Sequence, residues 1–278
     1  MYRTLICAIG LFCATSTWSQ GFKSAAEIGV FGGGSYYLGD LNTNRHFIDS
    51  KLAYGLIFRY NLTTRYSLRF NATYGEIQGY DSDSKNNFRV NRNLSFNSKL
   101  FELAFGMEID MFKYRITDMK YPITPYFFYQ FAYARINPKT NYNGNEVALQ
   151  PLGTEGQGTG LIGTKRNRYS LNQFTVPLGI GLKFNLRPRV AMSLEYGIRK
   201  TFSDYFDDVS GKYIDPDYLR TANGPLAADL SNRSVVSYGS VAGSNRGNSK
   251  AKDWYSFYGI MITIKPFKRD ICDMRGWR

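Results

Sequence analysis

The chain has 278 residues, of which 43% are hydrophobic and 16% aromatic, and its 35 basic side chains outnumber 22 acidic ones for a net charge of +13. Beyond the first twenty residues no run of about 18 consecutive apolar residues occurs, which excludes a helical membrane span. Cys7 and Cys13 fall in that first stretch and only Cys272 follows, so a disulfide scaffold within one mature chain is excluded as well.

The N-terminus, "MYRTLICAIGLFCATSTWSQ", has Arg3 as its positive region, an apolar run from Leu5 to Ala14 and small or polar residues at Ser19 and Gln20. It reads as a secretory signal peptide cleaved near Gln20. A lipoprotein attached through Cys13 is disfavoured because "GLFC" lacks the small residues usual before a lipidated cysteine. Loss of Arg3 with the leader brings the net charge from +13 to +12. A basic, Tyr-rich chain also admits RNA binding, but an exported chain seldom meets nucleic acid, and cationic loops suit a surface rich in lipid phosphates.

Eight stretches then alternate with period two, the strand signature. The first, 27–37, "EIGVFGGGSYY", is Gly-rich and alternates poorly. In 51–61, Leu52, Tyr54, Leu56, Phe58 and Tyr60 share one face; after "LTTR", Tyr66, Leu68, Phe70, Ala72 and Tyr74 do the same, which makes a hairpin. The fourth, 99–111, sets Phe101, Leu103, Phe105, Met107, Ile109 and Met111 against Glu102, Ala104, Gly106, Glu108 and Asp110. The fifth runs over 124–136, the sixth over 173–185, the seventh over 190–202 and the last over 254–267.

Connections after the odd strands are long, covering about 38–50, 78–98, 137–171 and 203–253, whereas those after the even strands are short or moderate. An even strand count, this loop asymmetry and apolar faces ending in Tyr60, Tyr66, Tyr74, Tyr114, Tyr196 and Phe267 predict an all-β, eight-stranded antiparallel transmembrane β-barrel with short periplasmic turns and long extracellular loops. A soluble sandwich alternates in the same way, but it does not account for the aromatic rims. The expected division is a signal peptide over 1–20, a barrel over 21–267 and a periplasmic tail over 268–278.

With the apolar face on lipid, Arg59, Arg69, Glu102, Glu108, Asp110, Lys183, Glu195 and Arg199 point into the lumen. Eight strands enclose an interior that side chains fill, so a lumenal charge network is expected in place of a pore or proton path. Gly55, Gly106, Gly179, Gly181 and Gly197 on the same face leave room for the long side chains, and Arg69 is expected to meet Glu108.

No cofactor, metal or catalytic site is expected. "GTGLIG" at Gly158, Gly160 and Gly163 has no parallel strand before it and no helix after it, so it reads as a surface loop. The carboxylates of "DSDS" (81–84) and "DYFDDVSG" (204–211) lack calcium-loop spacing and read as solvated turns. His46, the only histidine, falls in the first external loop, where a general base acting on lipid A is conceivable. No Ser-containing catalytic motif accompanies it, so it reads as a loop polar residue.

Four stretches together, "AEIGVFGGGSYYLGDLN" from Ala26, "RNLSFNSKLFELAFGMEIDMF" from Arg92, "LQPLGTEGQG" from Leu149 and "RKTFSDYFDDVSG" from Arg199, resemble the PorG-like family of outer-membrane barrels associated with the type IX secretion system. The two loop segments are the most specific, since strand periodicity imposes nothing there. The resemblance implies a non-enzymatic component of the Gram-negative outer membrane that holds a periplasmic ring, built from a lipoprotein and its partner, against that membrane. A general small barrel serving envelope integrity or adhesion through its external loops stays open beside it. The candidate contact surface for the ring is Arg115, Lys120, Arg187 and Arg189 on the turns, with Lys268, Arg269 and Cys272 in the tail "KRDICDMRGWR". A positively charged collar without a specific partner is the equal alternative, and Cys272 is open to pairing with a partner thiol.

Overall fold

The computed structural model describes residues 25–120, 122–161, 164–236 and 239–266. The expected leader, Phe267 and the tail with Lys268, Arg269 and Cys272 lie outside them. Ten strands form: β1 (Ala25–Leu38), β2 (Lys51–Asn61), β3 (Tyr66–Tyr80), β4 (Ser95–Asp110), β5 (Ile123–Arg135), β6 (Pro138–Tyr142), β7 (Asn145–Ala148), β8 (Asn172–Arg187), β9 (Val190–Thr201) and β10 (Trp254–Ile264). Eight of them close an antiparallel barrel in the order β3-β2-β1-β10-β9-β8-β5-β4, with β3 pairing back to β4 along Tyr66↔Ile109 to Tyr80↔Ser95. The fold class is the one expected. The unexpected pair is β6–β7, a hairpin within the third long loop that extends from β4 through Asn97↔Lys139.

Alternation decides what each face meets. On β2 the inward Ala53, Ile57 and Arg59 are buried, whereas the outward Leu52 and Leu56 are 73% and 63% exposed. Phe131 on β5 and Phe174 on β8 are as exposed, at 72% and 73%. Such residues recur around the wall, from Ile28 and Val30 on β1 to Ile260, Ile262 and Ile264 on β10. A continuous belt of exposed apolar side chains is the surface of a barrel solvated by lipid.

The first strand alternates after all. Glu27, Phe31, Ser35 and Tyr37 are buried inward, and the pattern is masked by glycines at the β1–β10 seam. Gly33 stands directly opposite Gly259, and a Cβ added to it would come 2.0 Å from the Tyr258 carbonyl oxygen. Only glycine permits that approach.

At one end the connections span 62–65, 111–122 and 188–189; at the other they span 39–50, 81–94, 136–171 and 202–253. The long-loop side also carries three short helices, α1 (Asn87–Arg92), α2 (Pro216–Asn223) and α3 (Pro225–Ser231). The half of the lumen on that side is packed with apolar side chains, among them Phe31, Ile57, Ile77, Leu100, Phe257 and Met261. The other half holds most of the charges, with Arg199 and Glu102 reaching into the apolar half beside Tyr255 and Phe257.

The belt can be tested by placing a charge on it. Leu56→Arg at the mid-wall should cost about 2–4 kcal/mol, measured by urea unfolding in phospholipid vesicles. A change within about 0.5 kcal/mol, as on a water-exposed surface, would remove lipid from the outer face.

Candidate functional site: a sealed lumen under a loop cap

The lumenal charges meet in two groups. Glu108 on β4 lies among three cations: Arg59 Nε at 2.9 Å, Arg69 Nη1 at 3.3 Å, and the Lys183 ammonium. Arg59 also donates to Glu27 at 2.9 Å, Arg69 donates to both oxygens of Glu195 at 2.5 and 2.8 Å, and Lys183 donates to Asp110 at 2.7 Å. Tyr126 and Thr263 donate to Glu195 and Glu27 at 2.8 and 3.0 Å. Nearer the long loops, Arg199 donates to Glu102 at 3.3 and 3.4 Å, and Tyr255 donates to the same carboxylate at 2.6 Å. Phe128 and Phe257 cover the Arg69 and Arg199 guanidinium faces at 4.2 and 4.6 Å. Arg59, Arg69, Glu102, Glu108, Asp110, Lys183, Glu195 and Arg199 are all buried, and Arg69 lies 3.3 Å from Glu108. Glu27 was missed because the glycines after it hide the alternation of its strand.

Both ends of this interior are closed. The moderate connection 111–122 folds under the mouth: Tyr114 and Ile116 are buried against Ala191, and the Tyr114 hydroxyl donates to Asn185 at 2.6 Å. Asn185 in turn donates to the carbonyls of Arg115 and Asp118 at 2.9 and 3.1 Å. Tyr114 is therefore a plug and not the girdle residue its place after β4 suggested, because the chain leaves the barrel wall at Asp110 and turns inward.

Across the other mouth the long loops form a cap. The segment after β9, "SDYFDDVSG", lowers Phe206 onto Tyr255 with ring centroids 5.5 Å apart, and Phe206 and Val209 join the apolar core. Tyr37 Oη lies 2.6 Å from Asp207 Oδ2 and 2.8 Å from Asp253 Oδ1. Asp208 accepts from Tyr169 at 2.7 Å and from Thr154 at 2.5 Å. Glu155, in "QPLGTEGQG", accepts from the backbone N–H groups of Ser210 and Gly211 at 2.9 and 3.0 Å, from Tyr205 at 3.1 Å and from Arg246 at 3.1 Å. Arg92 forks onto Asp81 through two bonds of 2.7 Å and reaches the Arg246 carbonyl, which ties in the second loop. Asp83 of "DSDS" is half-buried beside the exposed Ser82, as in a solvated turn, but Asp81, Asp204, Asp207 and Asp208 are buried and are not solvated. Periodicity carries no information in loops, and Asp207 and Asp208 find partners far away in sequence, at Tyr37 and at Tyr169 and Thr154.

Burial sets their protonation. It pushes the Asp204 and Asp208 carboxyls up to about 6 from an ordinary 3.8, in Asp208 against the opposing pull of Arg246. Asp207 and Asp253 are also raised well above the carboxylate range, first by burial and then by repulsion from neighbouring acids. The geometry demands it, since the Tyr37 hydroxyl has one proton for two carboxyl groups and the second bond needs a proton from an acid.

His46 is exposed, and its Nδ1 is 2.9 Å from the Tyr36 hydroxyl, itself 2.6 Å from Tyr196 Oη, so it anchors its loop to the barrel wall. "GTGLIG" stays a loop, with Gly158 and Gly160 at positive φ; Gly163 is outside the described residues. At the short-turn end Lys120 and Arg187 are exposed and Arg115 is half-buried. Arg189 is engaged: its guanidinium donates to the carbonyls of Lys265 and Pro266 at 2.9 and 3.0 Å and so fastens the end of β10.

The raised acids stabilise the cap fully below about pH 4, and that contribution is lost as the pH rises through about 6. Hydrogen exchange of 203–211, corrected for intrinsic rates, should show greater protection at pH 5 than at pH 7.5, and Glu155→Ala should speed exchange there while leaving β2–β4 unchanged. Equal protection at both pH values, or an unaltered cap in the variant, would contradict this account.

No curated protein matches the chain. Solved structures similar to it include Neisserial surface protein A (10% identity, 88% of this chain and 99% of that one, TM-score 0.42). Others are Ail, the attachment invasion locus protein of Yersinia pestis, in complex with the heparin analogue sucrose octasulfate (7%, 87% and 99%, 0.42), and the outer membrane protein OprG from Pseudomonas aeruginosa (11%, 88% and 98%, 0.38). One family model, "Domain of unknown function (DUF6089)", matches residues 3–150, more than half the sequence, and the chain belongs to that family.

Proposed function

We propose that the chain is a non-enzymatic outer-membrane component of the type IX protein secretion system, which anchors the periplasmic ring of lipoprotein and partner to the outer membrane. The observation that carries this reading is the doubly closed lumen. A barrel filled by paired charges and apolar side chains, with Tyr114 beneath and Phe206 above, has only its wall and its two ends to work with. An anchor needs no more.

The resemblance to PorG-like barrels adds the partner. Its two most specific segments, "QPLGTEGQG" and "TFSDYFDDVSG", are joined through Glu155 to Ser210 and Gly211, so the likeness lies in one folded unit. On the opposite end Lys113, Lys120 and Arg187 are exposed beside Met111 and Phe112, which suits an acidic and partly apolar periplasmic surface. The tail from Lys268, with Arg269 and Cys272, continues from that end. A second reading, an envelope or adhesion barrel acting through its loops, is favoured by the ordered cap.

A mild-detergent pull-down of the tagged protein from outer membranes, beside a version ending at Phe267, separates the two. Ring components should be recovered with the full-length form, and a deletion strain should fail to secrete the system's substrates. Folded barrels that recover no ring component, in a strain with normal secretion, would transfer the function to the loops.

A further inference from the structure

Three cations stand apart from the paired charges of the lumen and cap. Arg45 in the first long loop and Lys85 and Arg89 in the second line one cleft of about 370 Å³ between those loops. Asn42, Thr43, Asn44, Ser84 and Asn86 complete its polar lining, and no carboxylate lines it. Among the described residues, none of the three cations has an acid within ion-pair distance, whereas Arg92 and Arg246, a few residues away in space, are each neutralised.

The walls of the cleft are fixed. Asn42 donates to the carbonyls of Tyr37 and Arg45 at 2.8 and 2.9 Å and accepts from the Arg45 N–H at 3.1 Å. Asn86 accepts from the Phe88 N–H at 2.9 Å, and Arg89 spans the gap to Thr43 at 3.1 Å. Asp49 and Asp40 act on Arg45 and Arg89 only from beyond ion-pair distance, so an anion that enters the cleft gains charge-assisted hydrogen bonds from cations that no lining carboxylate occupies.

The cleft also has an address. Next to Arg45, Phe47 packs its ring on the outward Tyr258 and Tyr196, with centroids at 5.0 and 5.9 Å, so this loop lies on the lipid-facing side of the wall. Phe47 holds φ at 63°, a conformation that a bulky residue keeps only when its surroundings enforce it. Phe47 and, beside Arg89 in the second loop, Phe88 remain 52% and 57% exposed. Cations flanked by exposed aromatic rings at the edge of an apolar belt match the headgroup layer, where phosphates sit above acyl chains.

We propose that this cleft binds the phosphoryl groups of the phosphorylated glycolipid that forms the outer leaflet. The inference rests on the outer-membrane reading above. Its consequence is that membrane lipid clamps the first two loops to each other, in addition to the tie that Arg92 makes from the second loop to the cap.

The test uses the purified full-length protein in detergent, with heat-modifiable gel mobility as the check of folding. It is titrated with phosphorylated lipid A, with the same lipid chemically dephosphorylated, and with inorganic phosphate. Phosphorylated lipid should bind at least tenfold more tightly than the dephosphorylated form, and Arg45→Gln/Lys85→Gln/Arg89→Gln should remove that difference. If the triple variant does not fold, the two lipids on the unaltered protein and on Lys85→Gln decide. Equal affinity for both lipids, a folded triple variant that still discriminates, or inorganic phosphate binding as tightly as the lipid would each overturn the proposal. Membrane fractionation keeps the two claims distinct: loss of binding with the chain still in the outer membrane overturns the cleft alone, and a chain found elsewhere overturns the reading beneath it.

Discussion

The structure depends on how one carboxylate, Glu108, is shared among Arg59, Arg69 and Lys183 inside a barrel too narrow to hydrate them freely. Eight strands give an interior just wide enough to be filled by side chains. Charges placed there must satisfy one another, because a buried ion left alone costs about 3–5 kcal/mol when its partner is removed. Five carboxylates, Glu27, Glu102, Glu108, Asp110 and Glu195, face four cations, and the strands on which they sit are distributed around the whole barrel. The network therefore pins register across strands that are not neighbours, which backbone pairing alone does not do.

Everything at the two ends follows from that filled interior. Side chains fill the lumen, and its mouths are covered by Tyr114 and Ile116 on one side and by Phe206 and Val209 on the other. The cap repeats the logic of the lumen with acids in excess, and it settles the excess by keeping protons, as the shared Tyr37 hydroxyl between Asp207 and Asp253 requires. What remains for function is surface: a basic short-turn end, a belt of exposed apolar side chains, and a rim cleft lined by Arg45, Lys85 and Arg89.

The barrel was legible because period two is enforced residue by residue wherever one face meets lipid and the other a packed interior. Arg59, Arg69 and Glu108 could be placed from their neighbours alone. Three features could not. Glu27 was lost because β1 spends Gly33 on close contact with Gly259, which erases the contrast between faces. Tyr114 was misplaced because alternation says nothing about where a strand stops, and here the wall ends at Asp110. The cap was invisible because Glu155 meets Ser210 and Gly211 across more than fifty residues, a pairing that no local pattern encodes. Of the four segments that carry the family resemblance, the two most specific are the two halves of that contact.

A barrel filled by side chains conducts no ions, and conductance shows whether this one is filled. Purified full-length protein, folded by gel mobility and inserted into a planar lipid bilayer, should leave the membrane silent at ordinary voltages and at both pH 5 and pH 7.5. Sustained stepwise openings that scale with the amount of inserted protein would mean an open water column runs past Arg69 and Glu108, and would contradict the account.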